Sequence, residues 1–327
     1  MNRITPGDVG RRVSVRRLLG PPGEAPVYGD VVGELSDWTD GVLTITRKDG
    51  TVTRVAEHTL VAGKVVPAVP TRGPSALAPA VLQAALDRAW PAVEHEALGG
   101  WHLRAAAGFT RRANSVLPLD EPGVPLDEAL AHTERWYTDR GLPTRLQVVV
   151  GSPLDLQLAE RGWGTEASAI VRTARLAAVH DRLTGVTVPD GLTVTVTDEL
   201  DADWMSVYHK TAPSGPAADA ARHVLTGSRG TFFAEATTAD TPVAIGRCTV
   251  DLSTGLRLAN FTAIEVAPPH RRQGLARAVM AALTTRALSE GAVLAYLSVE
   301  PENTPARTLY DTLGFTDHHH YHYRTRA

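Results

Sequence analysis

Cysteine is almost absent from this 327-residue chain; Cys248 is the only one, so no intrachain disulfide can form. It falls in Val243-Ala-Ile-Gly-Arg-Cys-Thr-Val250, a strand-like run, and is expected to be a small core residue rather than a nucleophile. Lysine is nearly as scarce, at Lys48, Lys64 and Lys210 only, so arginine carries the positive charge. With abundant Ala, Val, Gly and Pro, that usage points to a GC-rich bacterial genome. No apolar run approaches the length of a membrane span, and Met1-Asn-Arg-Ile-Thr-Pro-Gly7 lacks the apolar core of a secretory signal; a cytoplasmic location and no membrane partner are the expectation. A net charge of −3 removes any global electrostatic reason to expect nucleic-acid binding. Hydrophobic content of 43% and charge of 21% exclude a disordered or fibrous chain.

What is present divides into three units. Residues 1–67 alternate short β-like runs with turn signals: Val13 to Leu18, Val27 to Leu35, Val42 to Ile45 and Val52 to Val55, with Asp40-Gly41 and Asp49-Gly50 between runs. Asp-Gly between alternating runs predicts hairpins, and about sixty such residues fit a small SH3-like barrel. The cluster Arg11-Arg12-Val13-Ser14-Val15-Arg16-Arg17 reads as a solvated strand edge, because acidic residues nearly balance the unit. Residues 68–79, rich in Pro, Gly, Ser and Ala, read as a linker.

The third unit, 190–327, holds the most informative stretch. The apolar run Leu256-Arg-Leu-Ala-Asn-Phe-Thr-Ala-Ile-Glu-Val266 stops at Pro268-Pro269. A basic loop, His270-Arg-Arg-Gln-Gly274, follows, and then Leu275, Val279, Leu283 and Leu288 recur near helical spacing up to Gly291. A helix start of this kind has free backbone N–H groups and the positive end of the helix dipole, which suit a pyrophosphate. Gly274 permits close approach of the backbone, Ala276 keeps the first turn slim, and Arg271, Arg272 and Arg277 add charge.

The spacing Arg271-x-x-Gly274-x-Ala276 after a strand ending in Val-Ala-Pro resembles the acyl-CoA loop of the GNAT N-acetyltransferase superfamily. Downstream, Asn303, Ala306, Tyr310 and Gly314-Phe315 match that superfamily's second signature. The whole chain resembles actinobacterial histone-acetyltransferase-like GNAT proteins with an N-terminal SH3-like domain. The resemblance implies an α/β (α+β) fold with a mixed central sheet. It implies acetyl-CoA as acyl donor, no metal, and direct transfer to an amine in a ternary complex. A protein lysine, as on a histone-like or nucleoid protein, is the implied acceptor, with a small primary amine or a non-catalytic acyl-CoA sensor as alternatives.

Residue by residue, the donor would be held by Ile264, Glu265, Val266, Arg271, Arg272, Gln273, Gly274, Leu275, Ala276, Arg277 and Asn303. Ile264 and Val266 would act through their main chain, on a strand that splays from its neighbour. Tyr310 is the candidate general acid, since a phenol stays protonated at neutral pH. The base is harder to place. Asn260 stands where many protein-lysine acetyltransferases carry a glutamate, and an amide can orient a water but not take a proton. Glu300 is the preferred substitute, ahead of Glu302, His209 and Glu265, which strict strand alternation turns away from the cleft.

Between barrel and C-terminal unit, residues 80–180 repeat the order strand, helix, strand, helix, strand. Their loop Leu119-Asp-Glu-Pro-Gly-Val-Pro125 is acidic where the other is basic. The region reads as a degenerate GNAT-like half that lost its cofactor site, or as an unrelated α/β segment. Asn114 and Ser115, beside Arg111 and Arg112, read as loop and strand-end residues. In His318-His-His-Tyr-His322, alternation would put His318, His320 and His322 on one face; a half-exposed terminal strand is preferred over a zinc site.

Overall fold

A computed structural model describes residues 4–19, 27–47, 51–65, 77–186, 191–210, 214–239, 241–251, 253 and 255–326. The chain forms two units, residues 1–73 and 74–327. Most of the expected linker, and the Asp49-Gly50 turn, lie outside the described residues.

In the first unit, β1 (Arg12–Leu18), β2 (Tyr28–Thr39), β3 (Val42–Thr46), β4 (Val52–Ala56) and β5 (Leu60–Val65) form one antiparallel sheet in the order β4-β3-β2-β1-β5. The strands β4 and β5 occupy opposite edges yet are joined by the single 3-10 turn Glu57–Thr59, so the sheet has to curl into a barrel. Its interior is Val13, Val15, Val31, Leu35, Leu43, Ile45 and Val55, inward-facing residues of β1 to β4, closed by Ile4 from the segment before β1. Asp40 (φ 51°) and Gly41 (φ 71°) make the β2–β3 turn, as Asp-Gly predicts. The arginine-rich β1 is not an edge: it lies between β2 and β5, with Arg16 paired to Asp30 at 2.9 Å and Arg17 donating to the Arg54 carbonyl.

The second unit is built on an eight-stranded mixed sheet whose chain order shows how its halves interlock. Its first half contains α1 (Pro79–Arg88), β6 (Glu94–Leu98), β7 (Trp101–Ala105), β8 (Leu117–Pro118), α2 (Leu126–Thr138), β9 (Arg145–Val149), α3 (Pro153–Glu160) and β10 (Gly164–Arg175). After α4 (Leu176–Leu183), the second half runs β11 (Leu192–Thr197), α5 (Ala202–Val207), α6 (Pro216–Thr226), β12 (Thr231–Thr238), β13 (Thr241–Asp251), β14 (Leu258–Val266), α7 (Leu275–Ser289), β15 (Leu294–Val299), α8 (Thr304–Thr312) and β16 (Thr316–Thr325). The large sheet has the order β11-β12-β13-β14-β15-β10-β16-β9. Each half therefore hands its last strand to the other: β10 pairs with β15, and β16 with β9.

The two halves share one local feature. β14 meets β15 in parallel at Leu258–Asn260, and Val116 meets Leu146 in parallel at the corresponding point of the first half. The expected division at 180–190 falls inside one continuous sheet. Helix α7 lies on this sheet through Leu275, Val279, Met280, Leu283 and Ala287. It approaches closely at Gly246, where a Cβ would stand 2.5 Å from Val279 Cγ1. Cys248 is wholly buried in that core, as expected. No helix of the described residues is long and apolar enough to cross a membrane.

The histidine run alternates in burial, with His319, Tyr321 and Tyr323 inside, but His318 sits at a break in the ladder. The β10–β16 register shifts at His318, the extra residue of a bulge. His318 consequently meets His319 edge-on at 5.0 Å and bonds the Leu77 carbonyl, while His322 reaches Asp155 at 2.7 Å. The three imidazoles of the alternation argument do not converge.

Candidate active site

The site begins where β14 leaves β15. The two are paired only from Leu258 to Asn260, whereas β14 stays with β13 as far as Val266. Ala263 marks the departure, at φ +52° beside a register shift between Ile245 and Arg247. A non-glycine residue held in the left-handed region is strained, and here it kinks the strand away from its parallel neighbour. Backbone groups of β14 on that side face an opening instead of a ladder. Ile264 and Val266 line it, at the positions expected to meet a donor's amides.

At the end of β14 the chain turns through Pro268–His270 into α7. Two left-handed residues, Arg272 (φ 65°) and Gly274 (φ 84°), shape this loop. Among the described residues no carbonyl accepts from the amides of Arg272 to Ala276, so successive N–H groups are available at the positive end of a fifteen-residue helix. A Cβ at Gly274 would meet no atom within 4 Å; the space over it is open to an incoming anion. Arg271 ties the loop to the strand through the Val266 carbonyl at 3.1 Å. Arg277 bonds the Arg182 carbonyl and Thr312 Oγ1, and so holds α7 against α4 and α8.

These residues and the face of α8 enclose a groove of about 960 Å³. Arg271, Arg272, Gly274, Leu275, Ala276 and Arg277 all line it; Gln273 does not, and its amide bonds the Pro269 carbonyl instead. The donor set, a row of free amides with arginines beside an open strand, fits a diphosphate followed by an amide-bearing chain.

A second groove, of about 440 Å³, adjoins the first. His209, Ile264, Glu265, Asn303, Ala306 and Tyr310 line both. Tyr310 is 8% exposed, packs edge-on against Phe315 at 5.6 Å, and has its phenol pushed up to about 12 by burial, against the opposing charge of Arg172. Arg172 comes from β10 and fixes α8 from below, through Asp311 at 2.6 Å, Asp317 at 2.7 Å and the carbonyls of Arg307 and Phe315. Asn303 caps α8, its side-chain oxygen accepting from the Ala306 amide at 3.2 Å.

The base candidates separate by position. Asn260 is fully buried at the last β14–β15 pair and lines neither groove, so it cannot orient a water there. Glu300 lines the second groove alone and acts on Arg111. Glu265, by contrast, turns into the junction, because the kink at Ala263 breaks the alternation that would have turned it away. Its carboxylate, 15% exposed, accepts from the backbone N–H of His209 at 3.2 Å and lies 2.5 Å from His209 Nδ1. Only the sequence-distant His209 completes this pair.

The first half supplies the far wall of the second groove: Trp90, Thr110, Arg111, Arg112 and Ser168. Asn114 and Ser115 line neither groove and lie, as expected, in the loop and at its exit toward β8. Asn114 is buried and folds the loop, its Oδ1 accepting from the amides of Ala106 and Gly108 and its Nδ2 donating to the carbonyls of Phe109 and Thr110. That knot presents Thr110 to Arg112 to the groove. The first half's own loop cannot hold an anion in the same way. Its Leu119 and Asp120 amides donate to the Gly100 carbonyl, and its side chains are acidic.

A kinked strand, an open-amide loop and a tyrosine helix on a two-half mixed sheet define a GNAT N-acetyltransferase. The chain belongs to the family of the probable histone acetyltransferase Rv0428c, whose C-terminal model matches residues 80–324 and whose N-terminal Sm-like model matches residues 7–64. It is 31% identical to the probable histone acetyltransferase Rv0428c of Mycobacterium tuberculosis over 322 residues, 96% of this chain and 94% of the relative. It is 28% identical over 242 residues to an uncharacterized N-acetyltransferase, YobR, of Bacillus subtilis, covering 72% of this chain and 94% of that one. In fold it is similar to a GCN5-related N-acetyltransferase from Kribbella flavida (TM-score 0.54, 18% identity, 77% of this chain and 95% of that one). It is also similar to a tandem GNAT protein of the clavulanic acid biosynthesis pathway (TM-score 0.53, 16% identity, 65% and 74%).

Proposed function

We propose that this enzyme transfers an acetyl group from acetyl-CoA directly to a primary amine, with both substrates bound at once. The observation that carries this reading is the place of Tyr310, at the junction of a diphosphate-compatible groove and a second groove that opens beside it. The first groove would hold acetyl-CoA, its diphosphate on the amides of residues 272–276 and its pantetheine along β14. The amine nitrogen bonds to the thioester carbonyl carbon and the C–S bond breaks. The Glu265–His209 pair takes the proton the nitrogen loses, and the Tyr310 hydroxyl gives one to the departing thiolate. Glu300 is the weaker base, because it lines the acceptor groove only and faces Arg111.

A protein lysine is the proposed acceptor, supported by the similarity to a mycobacterial probable histone acetyltransferase. A second reading, a small primary amine, is favoured by the acceptor groove's volume of about 440 Å³, a size usual for small-molecule sites. The test is mass spectrometry of acetylation over polyamines, aminoglycosides, amino acids and basic proteins, with wild type and Tyr310→Phe. Acid catalysis predicts a loss of about 10²–10⁴ in kcat for the variant at unchanged acetyl-CoA affinity. Acetyl-CoA binding with no turnover of any amine would leave a sensor as the reading.

A further inference from the structure

Arg112 enters the acceptor groove with no carboxylate within ion-pair distance among the described residues. Its Nη2 donates to the Tyr321 hydroxyl at 3.3 Å, its guanidinium lies 5.8 Å from the Trp90 ring centre, and its Nε is shielded from solvent without a partner. The neighbouring cation differs: Arg111 is paired with Glu166 at 2.7 Å, a carboxylate it shares with Arg145. Nor does the layer beneath supply an anion. Arg247 is wholly buried, 5.3 Å from the same Trp90 ring, and bonds only the Leu225 carbonyl and the hydroxyls of Thr231 and Thr262. Two guanidiniums thus share one indole with no counter-charge, an arrangement costly in a desolvated place unless something else brings the negative charge. Burial works to raise the Tyr321 phenol, yet Arg112 beside it holds it below its ordinary value. The second half lines the same groove with Glu265, Glu300 and Lys210, so its lining carboxylates come from elements other than the loop that presents Arg112.

We propose that Arg112 receives a carboxylate carried by the acceptor, so that the groove selects amines bearing an anion a short distance from the reacting nitrogen. This rests on the acetyltransfer reading of the same groove. The carboxylate has two possible sources, the acceptor's own backbone carboxylate or an acidic side chain next to a lysine in a peptide. Matched pairs separate them: lysine against lysinamide, and peptides with lysine flanked by glutamate against the same peptides with glutamine. A charge-assisted, two-point contact predicts about a tenfold advantage in kcat/KM for the anionic member of one pair. Arg112→Gln should abolish that advantage and Arg112→Lys keep part of it, both with acetyl-CoA affinity unchanged.

Calorimetric binding of N-ε-acetyllysine against its amide, and of the acetylated peptide pair, in the presence of CoA reads the same preference without turnover. A protein that acetylates nothing would sink the acetyltransfer reading and still leave this measurement to decide the anion site. Equal affinity and equal kcat/KM within both pairs for the wild type overturn the proposal. So does a preference that survives Arg112→Gln.

Discussion

At the scale of single residues, a proton donor at the end of this reaction has to keep its proton in neutral water and stand where the thiolate is released. In the proposed mechanism Tyr310 is that donor: burial pushes its phenol up to about 12, and it lines both grooves where they adjoin. No descending limb due to Tyr310 is therefore expected in the rate profile up to about pH 10. The acceptor proton is the sharper question. If the Glu265–His209 pair removes it, Glu265→Gln lowers kcat/KM by about 10² or more while Glu300→Gln costs less than about tenfold. Steady-state kinetics on the amine identified by mass spectrometry decides between them, and the reverse order would install Glu300. The sequence made Tyr310 and Asn303 visible, since both stand in a local motif. The pair was hidden for a physical reason: His209 lies far from Glu265 in the chain, and a kink at one alanine reverses the side on which Glu265 emerges.

At the scale of elements, the strand–loop–helix from Leu258 to Ser289 was legible because its residue types match its geometry. Gly274 occupies a left-handed position, Leu275 plugs the core and the arginines stay outside. Adding a methyl group there separates binding from folding. Gly274→Ala meets no atom of the protein, so its cost to stability is that of one strained residue, about 1–2 kcal/mol. The same methyl points into the space offered to the diphosphate. Acetyl-CoA affinity is expected to fall about tenfold or more, by titration calorimetry, while the melting temperature drops by only a few degrees. Similar affinity with a large loss of stability would mean that the loop is structural. Less legible were β6 and α4, whose short runs carry no strong period, and the bulge at His318. Registers between strands from different halves leave no local mark in sequence.

At the scale of the whole molecule, the sequence reads as two consecutive halves with the same order of elements, but they fold as one body. The reason is the exchange of last strands: β10 fills the gap beside β15, and β16 runs between β10 and β9. Arg172 makes the dependence chemical as well as topological. It is 5% exposed, originates in the first half, and neutralises Asp311 and Asp317 of the second under the helix that carries Tyr310. A chain of residues 190–327 alone would bare the edge of β15 along its full length and leave α8 without its anchor. Asp311 and Asp317 are themselves exposed, so losing the ion pairs costs little on its own; the larger loss is the bared edge of β15 and the hydrogen bonds from Arg172 to the Arg307 and Phe315 carbonyls. The separated second half is therefore expected to aggregate or to lack a cooperative unfolding transition, measured by circular dichroism and light scattering. Co-expression with residues 74–189 should restore both folding and acetyl-CoA binding, because the missing strand and Arg172 return together. A second half that folds alone and binds acetyl-CoA with the affinity of the intact chain would show that the cofactor groove needs nothing from the first half. The first half would then be left with the acceptor wall alone, the loop knotted by Asn114 that brings Arg112 to the groove.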